Sequence, residues 1–546
     1  MMNTVDKSQK TAGKWKIGCL ILMLLLIFPA AYGYFTFFHV PPRKYTRENT
    51  GLERLPAGVE IPMMPDGSRV DYVRAYELIF PHLCEKPEEN AWREIVCYLG
   101  PTLFVLDQWY PSSETPLTEE EWKRGADPIE RYYHILYAWE EYCRKLAISP
   151  ETLSMNKNIT KPEVAEKAIY RRLREAAKSE ADESDEENEK IEEIVYRKLS
   201  LTGWDAAEYP EMAEWLAAHE ELLDMVARAV RRERYVLPFC RSSENTILLA
   251  SIMRDIPFQR IFSKGFSFRA TMYLERGETE KALAEVESLW RLGRHLRQIP
   301  VFYPCLTGMW FENSAQLLTL EILKRNAVSP EQLRAFSEML DALPAPVSMD
   351  EAVDVDRWTG YEFFETSLES LAFMLEWMEL ESKTTLFFMK NLPIDATIAA
   401  ERYTELWKMK SDLSEEDFKK NYKFSLSIRT RSERVGEAVY VLFAPAANAI
   451  YTNADDVECR YQLARLSLSL KRYKAEHGAY PDSLSSLVPE YLAEMPKTPE
   501  SRPLTYSRKG DGFLLAAVKP GYDPEEALKE GDRDGIEYYY VVKMEN

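Results

Sequence analysis

The chain has 546 residues, of which 46% are hydrophobic and 29% are charged. These proportions are typical of a folded chain, and the length allows about two to four domains. Acidic residues outnumber basic ones, so the formal net charge is −20 at pH 7. Because DNA and RNA are polyanions, this charge excludes nucleic acid from the expected partners.

An apolar run without charged side chains extends from residue 17 to residue 40. At about 1.5 Å per helical residue it can cross a hydrocarbon core of about 30 Å, so we predict a transmembrane helix over residues 17–38. Four lysines and one aspartate precede the run. By the positive-inside rule, residues 1–16 form a cytoplasmic tail and the body lies on the periplasmic side.

A cleaved signal peptide is the alternative for this segment, because Ala31-Tyr32-Gly33 loosely imitates a cleavage site. Aromatic residues continue beyond that site through Tyr34 and Phe38. Such residues suit the interfacial belt of a membrane helix. The pattern therefore favours an uncleaved signal anchor.

Six cysteines of the body would face an oxidising compartment if the body is translocated, and disulfides are then one possibility. They are Cys84, Cys97, Cys143, Cys240, Cys305 and Cys459. The sequence contains no CxxC spacing, so neither a zinc ribbon nor a thioredoxin-type centre is indicated. Buried free thiols are the other interpretation.

Helix-start signals recur between residues 70 and 455, whereas strand-like alternation is scarce there. In Ser329-Pro330-Glu331-Gln332, for example, Ser occupies the N-cap and Pro the first helical position. We predict a mainly α-helical body with a first helical region at 39–177 and a helical domain at 196–455.

Between these regions, the chain reads KSEADESDEENEKIEE from Lys178 to Glu193. The run offers almost nothing to bury, so we predict a solvated acidic linker over residues 178–195. Clustered carboxylates are also suitable calcium ligands, but the EF-hand spacing with its central glycine is absent.

Residues 266–296 have the pattern of two helices joined by a turn at Gly277, with Ala270 and Ala282 small enough for close packing. Together with Phe266, Tyr273 and Val286, these residues resemble a tetratricopeptide-type hairpin. Arg269 departs from this pattern, because that family prefers leucine there. No second copy follows at about 34 residues, so we expect an irregular stack of helical hairpins.

The pattern changes in the final part, which we predict to be a small α+β domain at 456–546. A helix ends at Gly478, and Asp482 is placed to cap a short helix after it. Residues 504–508 and 513–518 read as a β-hairpin, and residues 536–542 as a third strand.

The text GAYPDSL from Gly478, followed by LVPEYL from Leu487, resembles the C-terminal part of type II secretion major pseudopilins. The resemblance covers residues 460–542 and implies a helix leading into a small sheet. A loop before the last strand binds calcium in that family, so the resemblance makes Asp532 and Asp534 candidate calcium ligands.

The N-terminus departs from the pseudopilin pattern. A pseudopilin carries a short basic leader and a glutamate in its apolar helix, whereas residues 17–40 contain no glutamate. Assembly into a pilus is therefore not implied. The order of anchor, helical body and pseudopilin-like tail also resembles large uncharacterised bacterial membrane proteins.

Few residues point to chemistry. His219-Glu220 begins like the HExxH motif of zinc peptidases, but Leu223 occupies the position of the second ligand. His295 lies among arginines at helical spacing and is predicted to belong to a basic helix face.

The sequence favours a non-enzymatic, single-pass, membrane-anchored envelope protein that acts as a protein-interaction or scaffolding module. Its expected partners are the membrane, through residues 17–38, and other envelope proteins. The alternative is an extracytoplasmic hydrolase that acts on envelope polymers through paired carboxylates. Two acidic side chains roughly 5 to 10 Å apart in a pocket would favour it.

Overall fold

The computed structural model describes residues 40, 42–100, 139–149, 159–177, 185–240, 256–325, 328–366, 394–409, 427–498, 503–518 and 539–544. The named α-helices in these ranges are α1 (Tyr72–Ile79), α2 (Pro81–Cys84), α3 (Ala91–Leu99), α4 (Glu163–Ala177), α5 (Asp185–Arg197), α6 (Pro210–Ala218), α7 (Glu220–Ala229), α8 (Ile256–Glu275), α9 (Thr279–Leu296), α10 (Phe302–Lys324), α11 (Pro330–Asp341), α12 (Met349–Thr366), α13 (Ala396–Met409) and α14 (Ile428–His477). The strands are β1 (Leu504–Lys509), β2 (Gly512–Val518) and β3 (Tyr539–Met544).

The described residues are mainly helical, with a small antiparallel sheet near the C-terminus, and the predicted fold class is confirmed to that extent. The predicted transmembrane segment at 17–38 lies outside the described residues. Of the helices that the structure does describe, none is both long and apolar enough to span a membrane.

Contacts along the chain divide it into two compact units, each made of two separate stretches. The first unit takes residues 1–79 and 357–446, and the second takes residues 80–356 and 447–546.

The core of the first unit forms where a turn at Gly51 packs on helix α12. Gly51 has a φ of +68°, and a Cβ there would lie 2.6 Å from the ring of Tyr361. The buried Trp358 donates a 2.8 Å hydrogen bond from Nε1 to the Gly51 carbonyl and stacks on Tyr72. Only glycine satisfies both the positive φ and the close contact.

The core of the second unit includes the hairpin of α8 and α9, whose turn contains Gly277 at a φ of +71°. The predicted pair of helices at 266–296 is therefore confirmed, with α8 beginning earlier, at Ile256. The small residues Ala270 and Ala282 are fully buried, as expected for close packing of the two helices.

Arg269 fits inside this packing because two carboxylates neutralise it. Its guanidinium lies 2.7 Å from Asp224 of α7 and 2.9 Å from Glu285 of α9. The exposed fraction of the Arg269 side chain is 5%. An arginine in a leucine position is thus accommodated by charge pairing across three helices.

Helix α5 contradicts the predicted linker at 178–195, because residues 185–195 are helical. Residues 178–184 lie outside the described residues. Glu192 pairs with Arg174 of α4, and Val195 is buried. The acidic run thus has both a neutralising partner and an apolar side to bury, which composition alone did not reveal.

The predicted stop of the long helix is confirmed, since α14 ends at His477 and Gly478 has a φ of +79°. The predicted cap is wrong. Ser483 has extended backbone, and its hydroxyl accepts from the Ser485 amide to cap the 3₁₀ helix at Leu484–Leu487. Asp482 instead lies 3.1 Å from Arg508.

The three strands form one antiparallel sheet in the order β1-β2-β3, which confirms the predicted hairpin and third strand. Leu515 of the central strand faces Tyr506 on one side and Val542 on the other. The central strand is buried from Phe513 to Ala517. Residues 536–538 of the predicted third strand lie outside the described residues, and β3 continues to Met544.

Candidate functional site

Helices α4 and α5 form a hairpin on the second unit, held together by the ion pair between Arg174 and Glu192. Helix α4 buries Ile169. It is also tethered to α8, because the ammonium group of Lys264 lies 3.0 Å from Glu163 and 2.8 Å from Glu166. These contacts fix α4 against the second unit.

The two helices of the hairpin expose large hydrophobic residues. Val164 of α4 is 42% exposed, and Ile194 and Tyr196 of α5 are 58% and 55% exposed. Isolated exposed apolar residues are common, but a group on one hairpin is typical of interaction sites. We name these exposed residues of the hairpin, Val164, Ile194 and Tyr196, together with the cavity that α4 and α5 line, the α4–α5 surface.

The cavity of the α4–α5 surface is open and has a volume of about 500 Å³. It is lined by Lys167, Tyr170, Arg171, Arg174, Glu175 and Glu192. Burial, together with the charges of Glu166 and Glu192, raises the pKa of Tyr170 to about 12, so its hydroxyl stays neutral. Tyrosine and arginine are enriched among the residues that dominate protein-binding energy.

Cationic side chains predominate in the cavity wall. Lys167 and Arg171 are exposed, and Glu192 is already engaged by Arg174.

Sequence reasoning missed this surface. The available signal was the group Ile194-Val195-Tyr196 at the end of the acidic run. Since the run was interpreted as a linker, these apolar residues were not assigned to a helix face.

The ion-pair network around Arg269 bears on the hydrolase alternative. Burial raises the pKa of Glu285 to about 7, while Arg269 acts in the opposite direction. One guanidinium bridges Glu285 and Asp224. These two carboxylates therefore act as partners of Arg269, and the bridge occupies the position that a substrate would need between them.

His219 is a structural residue. The Thr160 amide donates to its Nε2 at 3.0 Å, its Nδ1 donates to the Trp215 carbonyl at 2.8 Å, and its ring stacks on Trp215. Burial lowers the pKa of His219. Because both ring nitrogens are engaged, the histidine of the incomplete HExxH motif serves packing.

The predicted basic helix face around His295 is wrong. His295 is buried, contacts the Val230 carbonyl at 2.8 Å and stacks on Tyr235. Arg294 and Arg297 are also buried, because Glu312 of α10 pairs with both. The partner lies on the next helix, so it is not apparent from the local sequence.

Asp532 and Asp534, the candidate calcium ligands, lie outside the described residues, and calcium binding stays a prediction. Within the described ranges, no group of three or more His, Cys, Asp or Glu residues is arranged to hold a metal ion.

Three of the six body cysteines can be assigned as thiols. Cys97, Cys143 and Cys305 are free in the structure. Cys143 and Cys305 are buried, as the interpretation of buried free thiols expects, whereas Cys97 is exposed. Burial raises the pKa of Cys143 and of Cys305 to about 12, so both remain protonated and unreactive at neutral pH.

Comparison with protein-family models, with curated proteins and with solved structures found no match. The tetratricopeptide-like hairpin and the pseudopilin-like tail therefore stay resemblances.

Proposed function

We propose that this chain is a single-pass, membrane-anchored envelope protein that binds other proteins through its extracytoplasmic helical body. In this proposal residues 17–38 form the anchor, and the body is an irregular stack of helical hairpins. The pseudopilin-like residues 456–546 provide a further contact module. The exposed α4–α5 surface is the observation that carries the proposal.

Apolar surface left in water is unfavourable, and a partner that covers it gains free energy. Burying an aromatic or branched aliphatic side chain against a partner contributes roughly 1.5 to 3 kcal/mol, so Ile194 and Tyr196 are suitable anchors. The neighbouring Lys167 and Arg171 would attract an acidic partner and orient it. The partner class is therefore an envelope protein that presents an acidic segment with apolar side chains.

The test is crosslinking in native membranes, comparing the natural chain with the variant Ile194→Asp/Tyr196→Ala. The matched control is Leu317→Asp on α10, since Leu317 is also exposed, at 43%. We expect the natural chain and the control to crosslink the same protein, and the double variant to lose it. Equal recovery by all three chains would exclude the α4–α5 surface as the binding site.

Charge reversal provides an independent test of partner chemistry. Lys167→Glu/Arg171→Glu should weaken the same crosslink and should also reduce its dependence on salt, because exposed charges are screened at high ionic strength. A crosslink that is unaffected by charge reversal would contradict recognition of an acidic segment. Recognition through apolar contacts alone would then be the remaining interpretation.

A further inference from the structure

A second cavity, of about 290 Å³, lies at the end of α14 in the second unit. Its described lining consists of Leu323, Val328, Leu333, Lys471, Lys474, Ala475 and Gly478. It is separate in sequence and in lining from the α4–α5 surface. The wall thus combines an apolar part with a pair of lysines.

The apolar part is built by helices α10 and α11. Leu323 and Leu333 are 2% and 4% exposed, so both are held in the packed interior. The start of α11 is fixed by a capping box, in which Ser329 accepts from the Gln332 amide and Gln332 accepts from the Ser329 amide. The apolar wall is therefore preorganised.

The cationic part comes from one turn of α14. Lys471 is 9% exposed, and Lys474 follows it three residues later, on the same side of the helix. The Lys474 ammonium donates to the Asp511 carbonyl at 2.9 Å and lies 4.8 Å from the ring centroid of Tyr480. These contacts hold Lys474 beside the cavity.

Burial, together with the charge of Lys474, lowers the pKa of Lys471 to about 8. The ammonium groups of Lys471 and Lys474, three residues apart on one helix, repel each other. An anion bound between them would reduce that repulsion.

We propose that this cavity binds a small amphipathic monocarboxylate. Its carboxylate would lie between the ammonium groups of Lys471 and Lys474, and its short alkyl chain would pack on Leu323, Val328 and Leu333. The apolar wall disfavours a fully hydrated anion such as inorganic phosphate, because the wall offers it no hydrogen-bond donors.

The test uses the full chain in lipid nanodiscs and radiolabelled hexanoate, with empty nanodiscs as the background for partitioning into lipid. Equilibrium dialysis should show saturable binding to the loaded discs. Acetate has the carboxylate without the alkyl chain, and hexanol has the chain without the charge. We expect both to compete at least about tenfold less well than unlabelled hexanoate.

Lys471→Met keeps the length of the side chain and removes its charge, so the variant should fold while binding hexanoate about tenfold more weakly. Lys497→Met, at an exposed lysine of the same module, is the matched control and should bind normally. Unchanged affinity in Lys471→Met, absence of saturable binding, or equal competition by hexanol would overturn the proposal.

A second readout does not depend on variants. Acetic anhydride modifies neutral amines, and mass spectrometry reports the rate at each lysine. Hexanoate should slow acetylation of Lys471, because the bound carboxylate covers it and favours its protonated form. Lys497 should react at the same rate with or without hexanoate. Equal rates at Lys471 would contradict the proposed site.

Discussion

Gly293 of α9 and Gly308 of α10 bring the two helix backbones into direct contact. A Cβ on Gly308 would lie 2.5 Å from the Gly293 carbonyl oxygen and 2.8 Å from Cγ of Arg297. Neither neighbour can move cheaply, since one is helix backbone and the other is the stem of a buried side chain. The close approach also brings Glu312 within reach of the arginines on α9.

Gly308→Ala should therefore force the two helices apart. We expect the free energy of unfolding to fall by about 1 to 3 kcal/mol, the usual cost of overpacking. Urea unfolding followed by circular dichroism would measure it. Leu317→Ala, at an exposed position of the same helix, is the control and should cost much less. Equal effects of the two changes would show that the glycine contact is not tight.

Glu312 neutralises two buried arginines. Its carboxylate oxygens lie 2.9 Å from Nε of Arg294 and 2.7 Å from Nη1 of Arg297, and the side chain is fully buried. Glu312→Gln would remove the carboxylate that pairs directly with both guanidinium groups. We expect a loss of about 3 to 5 kcal/mol in the free energy of unfolding, because buried charges require compensation.

The matched control is Glu338→Gln, which removes one partner of the exposed pair between Arg334 and Glu338 on α11. Exposed pairs contribute little, so this change should be nearly silent. If Glu312→Gln were as mild as the control, water or another group would have to compensate the arginines.

These contacts show where sequence reasoning succeeded and where it could not. The N-cap at Ser329, the stop at Gly478 and the hairpin turn at Gly277 are determined by neighbours within a few residues, and each was predicted correctly. The second half of the capping box, from Gln332, was not predicted. Arg294 and Glu312 are on different helices, so periodicity suggested a solvated face where the structure has a buried pair. Pairing across helices is a tertiary property that local patterns do not contain.

The same limit explains the acidic run. Glutamate is compatible with a helix, so the acidic composition of the run did not exclude α5, and the partner of Glu192, Arg174, is on α4. The composition correctly indicated that many residues of the run are solvated. It did not indicate that one side of helix α5 is buried, as Val195 is. The α4–α5 surface was missed for this reason.

Asp356 of α12 should make stability depend on pH. Burial raises its pKa from the ordinary 3.8 to about 7. The folded chain then binds this proton more tightly than the unfolded chain, so the stabilisation is present at low pH and is lost as the pH rises towards 7. Between these two pKa values, this carboxyl lowers the free energy of unfolding by up to about 1.4 kcal/mol for each unit by which the pH rises.

Asp356→Asn mimics the protonated carboxyl and removes its contribution to the pH dependence of the free energy of unfolding. We expect the variant to match the natural chain near pH 4 and to be more stable than it at pH 8, as measured by urea unfolding across that range. Val355→Ala, an uncharged change at the preceding buried residue, should lower stability by the same amount at every pH. A constant difference for Asp356→Asn would contradict the raised pKa.

The capping box should contribute measurably to helix α11. Ser329→Ala removes the hydroxyl that accepts from the backbone N–H of Gln332. We expect the free energy of unfolding to fall by about 1 kcal/mol. Gln332→Ala should lower the free energy of unfolding by less in a chain that already carries Ser329→Ala than in the natural chain. The reason is that the two hydrogen bonds of the capping box are reciprocal. Thermal unfolding of the two single variants and the double variant would measure the coupling, and strictly additive effects would argue against it.

The anchor prediction concerns residues outside the described part of the chain and can be tested without their structure. Leu24 and Leu26 lie near the middle of the apolar run. An aspartate at the centre of a membrane helix costs about 2.5 to 3.5 kcal/mol, so Leu24→Asp/Leu26→Asp should prevent stable insertion. Carbonate extraction should leave the natural chain in the membrane pellet and release the variant.

The control for insertion is Ser8→Asp/Thr11→Asp, which adds the same charges before the apolar run and should stay in the pellet. The intact mass of the membrane-bound chain separates the two interpretations of the N-terminus. A chain that retains residues 1–38 supports the uncleaved anchor. A mass that lacks them would identify a cleaved signal peptide, and the body would then require another means of membrane attachment.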